Sequence, residues 1–82
     1  MKFKRIVLQK TMKNGRGYWQ AVYSLNPSAP PGCAVHVKFS RVYDKVEYIE
    51  KSIDVSRDFA NNMFLIVRNS GYKVVKFTAQ ED

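Results

Sequence analysis

The sequence predicts an α+β fold in which a four- to five-stranded, mainly antiparallel sheet packs one face against a single helix. Several segments alternate β-branched or aromatic residues with polar ones and are separated by turn-forming residues, which is typical of strands with one buried face. One later segment spaces its apolar residues by three and four, which is typical of an amphipathic helix. The expected order is β-β-β-β-α-β within one domain of residues 1–82, because a chain of 82 residues forms one modest core.

A β-hairpin is predicted where two strand segments, residues 2–12 and 18–25, flank an Asn-Gly dipeptide. Asn14 and Gly15 both tolerate the positive φ angles of a two-residue hairpin turn. A two-residue turn fixes the register, because residues equally distant from it lie opposite each other. The predicted pairs are Lys10 and Trp19, Leu8 and Ala21, Ile6 and Tyr23, and Lys4 and Leu25.

This register has an electrostatic cost at the hairpin tip. It places Lys13 directly opposite Arg16, and like charges in a cross-strand pair are destabilising. A wider turn, for example with Gly17 in a bulge, would separate the two side chains and remains an alternative. Binding of an anionic partner at the tip would relieve the same repulsion.

The next two segments follow a proline-rich loop. Residues 34–43 alternate apolar with polar side chains and are predicted as the third strand. Residues 45–55 fit either a strand or a helix, because their apolar residues match both spacings and Asp44 with Glu47 resembles a capping box. We favour a strand that pairs with the third one through a turn at residues 43–46, since β-branched residues recur in it.

The helix is predicted at residues 56–69, and its ends are marked by capping residues. Ser56 is a suitable N-cap, and Gly71 is a suitable residue to end the helix. A last strand at residues 72–79 returns to the sheet, and residues 80–82 are expected to fray.

The predicted core joins the helix to one face of the sheet. Trp19 is placed in this core because alternation puts it on the same face as Ala21 and Tyr23. The opposite face is mostly polar and is expected to remain open to solvent. The expected core residues are Ile6, Leu8, Trp19, Ala21, Tyr23, Val35, Val37, Phe39, Phe59, Met63, Val67, Val75 and Phe77.

Positive charge is concentrated in the first half of the chain. The net charge is +7, and no acidic residue precedes Asp44. A surface of one sign attracts partners of the other sign. We therefore expect an anionic partner, either a nucleic acid, with single strands or RNA favoured, or an acidic or nucleoprotein enzyme. The eight cations before Asp44 are Lys2, Lys4, Arg5, Lys10, Lys13, Arg16, Lys38 and Arg41.

The candidate binding surface combines the hairpin tip with the open face of the sheet. Phosphates require cations, and unstacked bases require flat rings or amides, which this surface offers together. Gln9 and Thr11 are further members of the open face, and Tyr48 is expected to join them from the fourth strand. The expected partner-binding residues are Arg5, Lys10, Lys13, Arg16, Tyr18, Gln20, His36, Lys38 and Arg41.

Several function classes lack support in the sequence. One cysteine, Cys33, and one histidine predict neither an internal disulfide nor a metal site. No catalytic residue or cofactor is expected, because a ribonuclease using His36 and Arg41 lacks a convincing acid-base partner. The sequence contains no RRM, KH or zinc-knuckle motif. It also contains no apolar segment of membrane-helix length and no signal peptide, so we expect a cytoplasmic protein.

Two function classes remain. The favoured one is a small non-catalytic binding module that contacts nucleic acid or a nucleoprotein through the basic hairpin and the open sheet face. The alternative is a protein inhibitor, encoded by a phage or mobile element, that binds a host nucleic-acid-processing enzyme such as a defence nuclease. A homodimer through an exposed edge strand is compatible with both classes.

Overall fold

The computed structural model describes residues 3–79 and has an α+β fold, which confirms the predicted fold class and element order. The elements are β1 (Phe3–Thr11), β2 (Gly17–Leu25), β3 (Val35–Tyr43), β4 (Val46–Val55), α1 (Arg57–Asn69) and β5 (Lys73–Ala79). All neighbouring strands are antiparallel, and the strand order is β4-β3-β2-β1-β5. The predicted start of the first strand at residue 2 and the predicted fraying of residues 80–82 lie outside the described residues.

The hairpin between β1 and β2 closes through a four-residue loop, residues 13–16. The Met12 N–H donates to the Gly17 carbonyl at 2.9 Å, and Gly15 has a φ of 71° within the loop. The predicted two-residue turn, with its directly opposed charges, is therefore wrong, and the wider turn is confirmed without a bulge at Gly17. Beyond the loop, three of the four predicted cross-strand pairs are formed, and the ladder ends at Arg5 before the fourth.

Residues 46–55 form strand β4, so the helical alternative for this segment is wrong. β4 is joined to β3 by a turn in which Asp44 and Lys45 both have positive φ, at 47° and 67°. Positive φ at both positions gives a two-residue turn the same twist as the strands it connects. The predicted pairing of the third and fourth strands through this turn is confirmed.

A bulge in β4 changes which side chains face the helix. Phe39 of β3 pairs with Lys51, whereas the next residue, Ser40, pairs with Ile49, so Glu50 has no partner in the ladder. Because side chains alternate between the two faces, one extra residue reverses the assignment of every residue on one side of it. The part of β4 before the bulge therefore presents the opposite faces from those that strict alternation predicts.

Helix α1 begins and ends at the predicted caps. Ser56 Oγ accepts a hydrogen bond from the Phe59 N–H at 3.1 Å. The Gly71 N–H donates to the Arg68 carbonyl at 3.0 Å, and Gly71 has a φ of 96°, which residues with a side chain rarely adopt. The helix runs from the β4 edge of the sheet to the β5 edge and crosses one face diagonally.

The core lies between α1 and the sheet. Ala60 of the helix is fully buried against the central strands. The predicted core residues that are buried are Ile6, Leu8, Ala21, Tyr23, Val35, Val37 and Val67, while Phe39 and Met63 are half-buried. The buried residues absent from the predicted core are Phe3, Val7, Met12, Val22, Ser40 and Ala60, of which Val7, Val22 and Ser40 lie on the open face.

Four predicted core residues are wrong. Trp19 is 37% exposed, Phe59 54%, Val75 53% and Phe77 57%. Phe59 lies on the helix itself, outside the stripe of Ala60, Met63 and Val67 that faces the sheet. The three strand residues are exposed because of the size of the helix, since 13 residues form a rod only about 20 Å long. Such a helix covers the middle of a five-stranded sheet and leaves one end and the β5 edge without a second layer.

Candidate partner-binding surface

The hairpin loop, residues 13–16, carries two exposed cations at one end of the sheet. Lys13 and Arg16 are both exposed, and within residues 3–79 no ion pair includes either of them. The Asn14 side chain accepts a hydrogen bond from the Arg16 N–H at 2.9 Å. This contact holds the backbone of the loop and leaves both cationic side chains in solvent, so the loop presents uncompensated positive charge.

Lys10 extends this positive region toward the helix. Its Nζ donates to the Ser70 carbonyl at 2.9 Å, at the C-terminal end of α1. A cation at this end of a helix is stabilised by the helix dipole, by about 0.3 to 1 kcal/mol at an exposed site. An ammonium group has three N–H donors, so Lys10 keeps donors for a partner while its position is fixed.

An aromatic row crosses the sheet next to the hairpin loop, on the face that carries α1. The aromatic row is Lys10, Trp19, Arg41 and Tyr48, which are successive partners in the ladders of β1, β2, β3 and β4. Trp19 is 37% exposed and Tyr48 is 52% exposed. The Arg41 guanidinium carbon lies 5.8 Å from the centre of the Trp19 ring, within cation–π range. Neighbouring strands are about 4.8 Å apart, so the row spans about 14 Å.

The row is exposed because α1 does not extend over it. The helix ends at Asn69, close to Lys10, and the fully buried residues of β2, Ala21 and Tyr23, lie farther from the loop. The sequence does indicate that Trp19 is exposed, but through its cross-strand partner rather than through alternation. The predicted register places Trp19 opposite Lys10, and lysine is almost never fully buried.

Arg41 is held in the row from two sides. It forms an ion pair with Glu50, the bulged residue of β4, and lies over the Trp19 ring. The bulge therefore supplies the acid that orients the guanidinium. A guanidinium has five N–H donors in a planar fork, so donors remain for a phosphate or carboxylate.

The open face of the sheet contains a hydrogen-bond network centred on Glu47. Its carboxylate accepts hydrogen bonds from Lys38 Nζ at 3.1 Å, from Ser40 Oγ at 2.9 Å and from Gln20 Nε2 at 3.1 Å. The Gln20 side chain also accepts from Gln9 at 2.8 Å. The hydrogen bond from Lys38, followed by that from Ser40, holds the pKa of Glu47 below its ordinary value. The charge of Lys38 is therefore compensated within the sheet.

A second polar cluster on the open face surrounds His36. Its Nδ1 lies 2.9 Å from Asp54 Oδ1, and its Nε2 lies 2.9 Å from Ser52 Oγ. The hydrogen bond from His36, followed by one from Asn26, lowers the pKa of Asp54. The order of groups resembles a serine hydrolase triad, but the His36 and Asp54 side chains are each 35% exposed on a flat sheet. The contacts of His36 with Ser52 and Asp54 join β3 to β4.

The predicted site residues divide between the two faces of the sheet. Those on the open face are Arg5, Tyr18, Gln20, His36 and Lys38. Those gathered at the hairpin end on the other face, or in the loop itself, are Lys10, Lys13, Arg16 and Arg41. The structure therefore does not bring all nine residues into one surface, because alternation along β3 separates Arg41 from His36 and Lys38.

One prediction about an individual residue is wrong for a reason of geometry. Tyr48 lies on the helix side rather than on the open face, because the bulge at Glu50 reverses the alternation of β4 there. His36 and Arg41 lie on opposite faces of β3, so they do not form the acid-base pair of a ribonuclease.

Comparison with known proteins gives no relative from which a site could be transferred. No protein-family profile, no curated protein and no solved structure significantly matches this chain. Within the described residues 3–79, no helix is long and apolar enough to cross a membrane. The same part of the chain holds no group of three or more His, Cys, Asp or Glu side chains arranged to bind a metal ion.

Proposed function

We propose that this protein is a small non-catalytic binding module that contacts single-stranded nucleic acid, with RNA favoured, through the hairpin loop and the aromatic row. The observation that carries this proposal is the exposed ring of Trp19 between two cations, Lys10 and Arg41, beside a loop with two more. Stacking of a base on an aromatic side chain contributes about 1 to 3 kcal/mol. Lys10 beside the ring, with Lys13 and Arg16 in the loop, supplies the counter-charge that phosphates require, while Arg41 is paired with Glu50 and offers its remaining N–H donors.

The distribution of ion pairs supports the hairpin end as the contact surface. On β3, the Lys38 ammonium pairs with Glu47 and the His36 ring contacts Asp54, so both of these side chains of the open face already contact carboxylates. Lys13 and Arg16 are free of such contacts within the described chain. The proposed surface is therefore the hairpin end rather than the open face as a whole.

The form of the surface favours unpaired bases over a duplex. Bases in a duplex stack on each other and offer no free face to a protein ring, whereas splayed bases of a single strand do. Trp19 and Tyr48 of the row are exposed to solvent, so a strand can lie along it without threading. We also propose that the protein acts in the cytoplasm.

Tryptophan fluorescence tests this proposal directly. Trp19 is the one tryptophan of the chain, so its emission reports on the proposed surface. We expect single-stranded RNA of about 16 nucleotides to quench it and the duplex of equal length to leave it unchanged. The logarithm of the affinity should fall with the logarithm of the salt concentration, with a slope of about 0.7 per phosphate neutralised. Absence of quenching and of a gel shift at low salt would overturn the proposal.

Charge reversal separates the proposed surface from a general effect of net charge. Lys13→Glu combined with Arg16→Glu is expected to weaken RNA binding at least tenfold, about 1.4 kcal/mol or more. The control is Lys4→Glu combined with Arg57→Glu, which changes the net charge equally at two exposed positions lining a groove at the opposite end of the sheet. Equal weakening by the two variants would contradict the assignment of the surface.

A protein inhibitor remains the second candidate, and the composition of the aromatic row favours it as well. Trp, Tyr and Arg are enriched among the residues that dominate the binding energy of protein interfaces. In this second proposal a phage or mobile element encodes the chain, which covers an acidic surface of a nucleic-acid-processing enzyme of the host. Excess absorbance at 260 nm in the purified protein would support the first candidate. A flat salt dependence and no bound nucleic acid would support the second.

A further inference from the structure

Exposed apolar side chains follow the β5 edge of the sheet and the adjoining flank of α1. Val75 is 53% exposed, Phe77 57% and Leu65 58%. Leu65, Val74 and Phe77 line a groove of about 610 Å³ between helix and strand, which Phe64 also lines. Asn61 and Arg68 also line this groove, and its other lining residues are apolar. An exposed apolar surface of this kind marks an interaction site.

The two edges of the sheet differ in how they resist pairing with another strand. Both edge strands contain a bulge, at Glu50 of β4 and at Val75 of β5, so the difference between them lies in charge. β4 carries a series of exposed charged side chains, which is a feature that protects an edge. These charged residues are Glu47, Glu50, Lys51 and Asp54. By contrast, residues 75–79 of β5 carry one charge, at Lys76, and leave one side of their backbone without a strand partner. The β5 edge is therefore the open end of the sheet.

We propose that two copies of this chain associate by antiparallel pairing of β5 with β5 across a two-fold axis at Phe77, which joins the two sheets into one of ten strands. A two-fold axis perpendicular to a sheet makes two identical edge strands antiparallel. With the axis at Phe77, Lys76 of each copy lies opposite Thr78 of the second copy. An axis at Lys76 would instead place two lysines opposite each other, which is unfavourable.

The charge distribution is compatible with a second copy on this surface. Association of a chain with net charge +7 is opposed by self-repulsion, unless the most basic regions stay apart. The two-fold axis reverses the direction of β1, so the two hairpin loops project at opposite ends of the combined sheet. The proposed interface contains Phe77 and Val75 near its centre, and Lys76 is its one charged residue within residues 75–79.

The size of the surface sets the expected strength of association. Half-exposed apolar side chains and the strand edge offer on the order of 500 Å² per copy, or about 1,000 Å² in total. This is near the lower limit for a specific interface, so the dimer should be weak and dependent on concentration. Pairing of the two edges adds backbone hydrogen bonds that a purely apolar contact lacks.

Sedimentation equilibrium of the full chain tests the proposal. Its mass is 9.5 kDa, and we expect the measured mass to approach twice this value as the concentration rises into the range of about 100 μM and above. A mass that stays at 9.5 kDa throughout would overturn the proposal. Buffer of high ionic strength should favour the dimer, because it screens the repulsion between the two positive chains.

Two matched substitutions identify the edge. Phe77→Glu places two carboxylates at the axis and is expected to abolish the mass increase, whereas Ile49→Glu, on the β4 edge at 60% exposure, should leave it unchanged. Circular dichroism checks that both variants stay folded. Dimerisation that survives Phe77→Glu or is lost with Ile49→Glu would show that another surface is used.

Cross-linking tests the register without relying on a loss of association. In a Cys33→Ser background, Phe77→Cys should give a disulfide-linked dimer on mild oxidation, because the two thiols meet at the axis. Ile49→Cys in the same background should remain monomeric on a denaturing gel. Equal cross-linking of the two variants would reflect random collision and would overturn the proposed pairing.

Discussion

Leu8 and Phe59 show how the helix determines what an apolar residue contributes to stability. Leu8 is fully buried under α1, whereas Phe59, on the helix itself, is 54% exposed. Leu8→Ala should lower the free energy of unfolding by about 2 to 5 kcal/mol, because it leaves a cavity. Phe59→Ala should lower it by about 1 kcal/mol, since only half of its surface leaves water on folding. Urea denaturation of the two variants measures both values, and equal losses would contradict the exposure of Phe59.

Glu47 makes the stability of the sheet depend on pH. The hydrogen bond from Lys38, and then that from Ser40, keeps its pKa below the ordinary value of 4.5 in the folded state. A carboxylate with a lowered folded-state pKa contributes stability that is complete above the unfolded-state pKa. That contribution is lost as the pH falls from about 4.5 through the folded-state pKa.

The corresponding variant is Glu47→Gln, which keeps the shape of the side chain and removes its charge. We expect it to be less stable than the wild type at pH 7 and to approach the wild type as the pH falls below about 4.5. Thermal denaturation of both proteins across this pH range measures the difference. A stability gap that does not change with pH would show that the Glu47 charge contributes nothing to the network.

Among the elements, the pairing of β2 with β3 depends on the absence of a side chain at Gly17. A Cβ at this position would overlap the Val42 carbonyl oxygen and lie 3.3 Å from the Tyr43 ring. Gly17→Ala should therefore separate the ends of these strands and lower the free energy of unfolding by about 1 to 3 kcal/mol. Chemical denaturation, with the chemical shift of Tyr43 as a local probe, measures this effect.

The control for this prediction is Gly15→Asn in the hairpin loop. A Cβ at Gly15 meets nothing within 4 Å, and asparagine tolerates the positive φ of 71° found there. We expect a change in the free energy of unfolding of about 0.5 kcal/mol or less. A larger loss at Gly15 than at Gly17 would indicate that loop conformation, rather than close approach of the strands, is the limiting factor.

Local sequence signals were sufficient for the elements but not for the irregularities between them. The caps at Ser56 and Gly71 are residue types with a direct backbone role, and both were predicted from sequence. The bulge at Glu50 has no such signal, since glutamate is not required by the backbone there. A single extra residue nevertheless moves Tyr48 to the other face of the sheet. The position of Tyr48 in the candidate site therefore depends on the bulge, which the periodicity of the sequence does not reveal.

For the molecule as a whole, the order of the elements was predictable, whereas the area that the helix covers was not. Periodicity reports which face of a strand is apolar, but burial also requires a layer above that face. Strands of up to 10 residues are about 33 Å long, and a helix of 13 residues is about 20 Å long. Trp19 and Phe77 therefore occupy positions where alternation predicts core residues, although both side chains are exposed to solvent.

The return of β5 to the edge of β1 has a kinetic consequence. β1 to β4 are joined by two short turns and the loop of residues 26–34, whereas Ile6 pairs with Phe77, about 70 residues away. Closing a loop of that length costs about 2.5 kcal/mol more in chain entropy than closing a four-residue loop. We therefore expect the four-stranded meander to assemble before β5 joins it. Until then β1 is itself a free edge, and its apolar residues are open to pairing with other chains during synthesis or refolding.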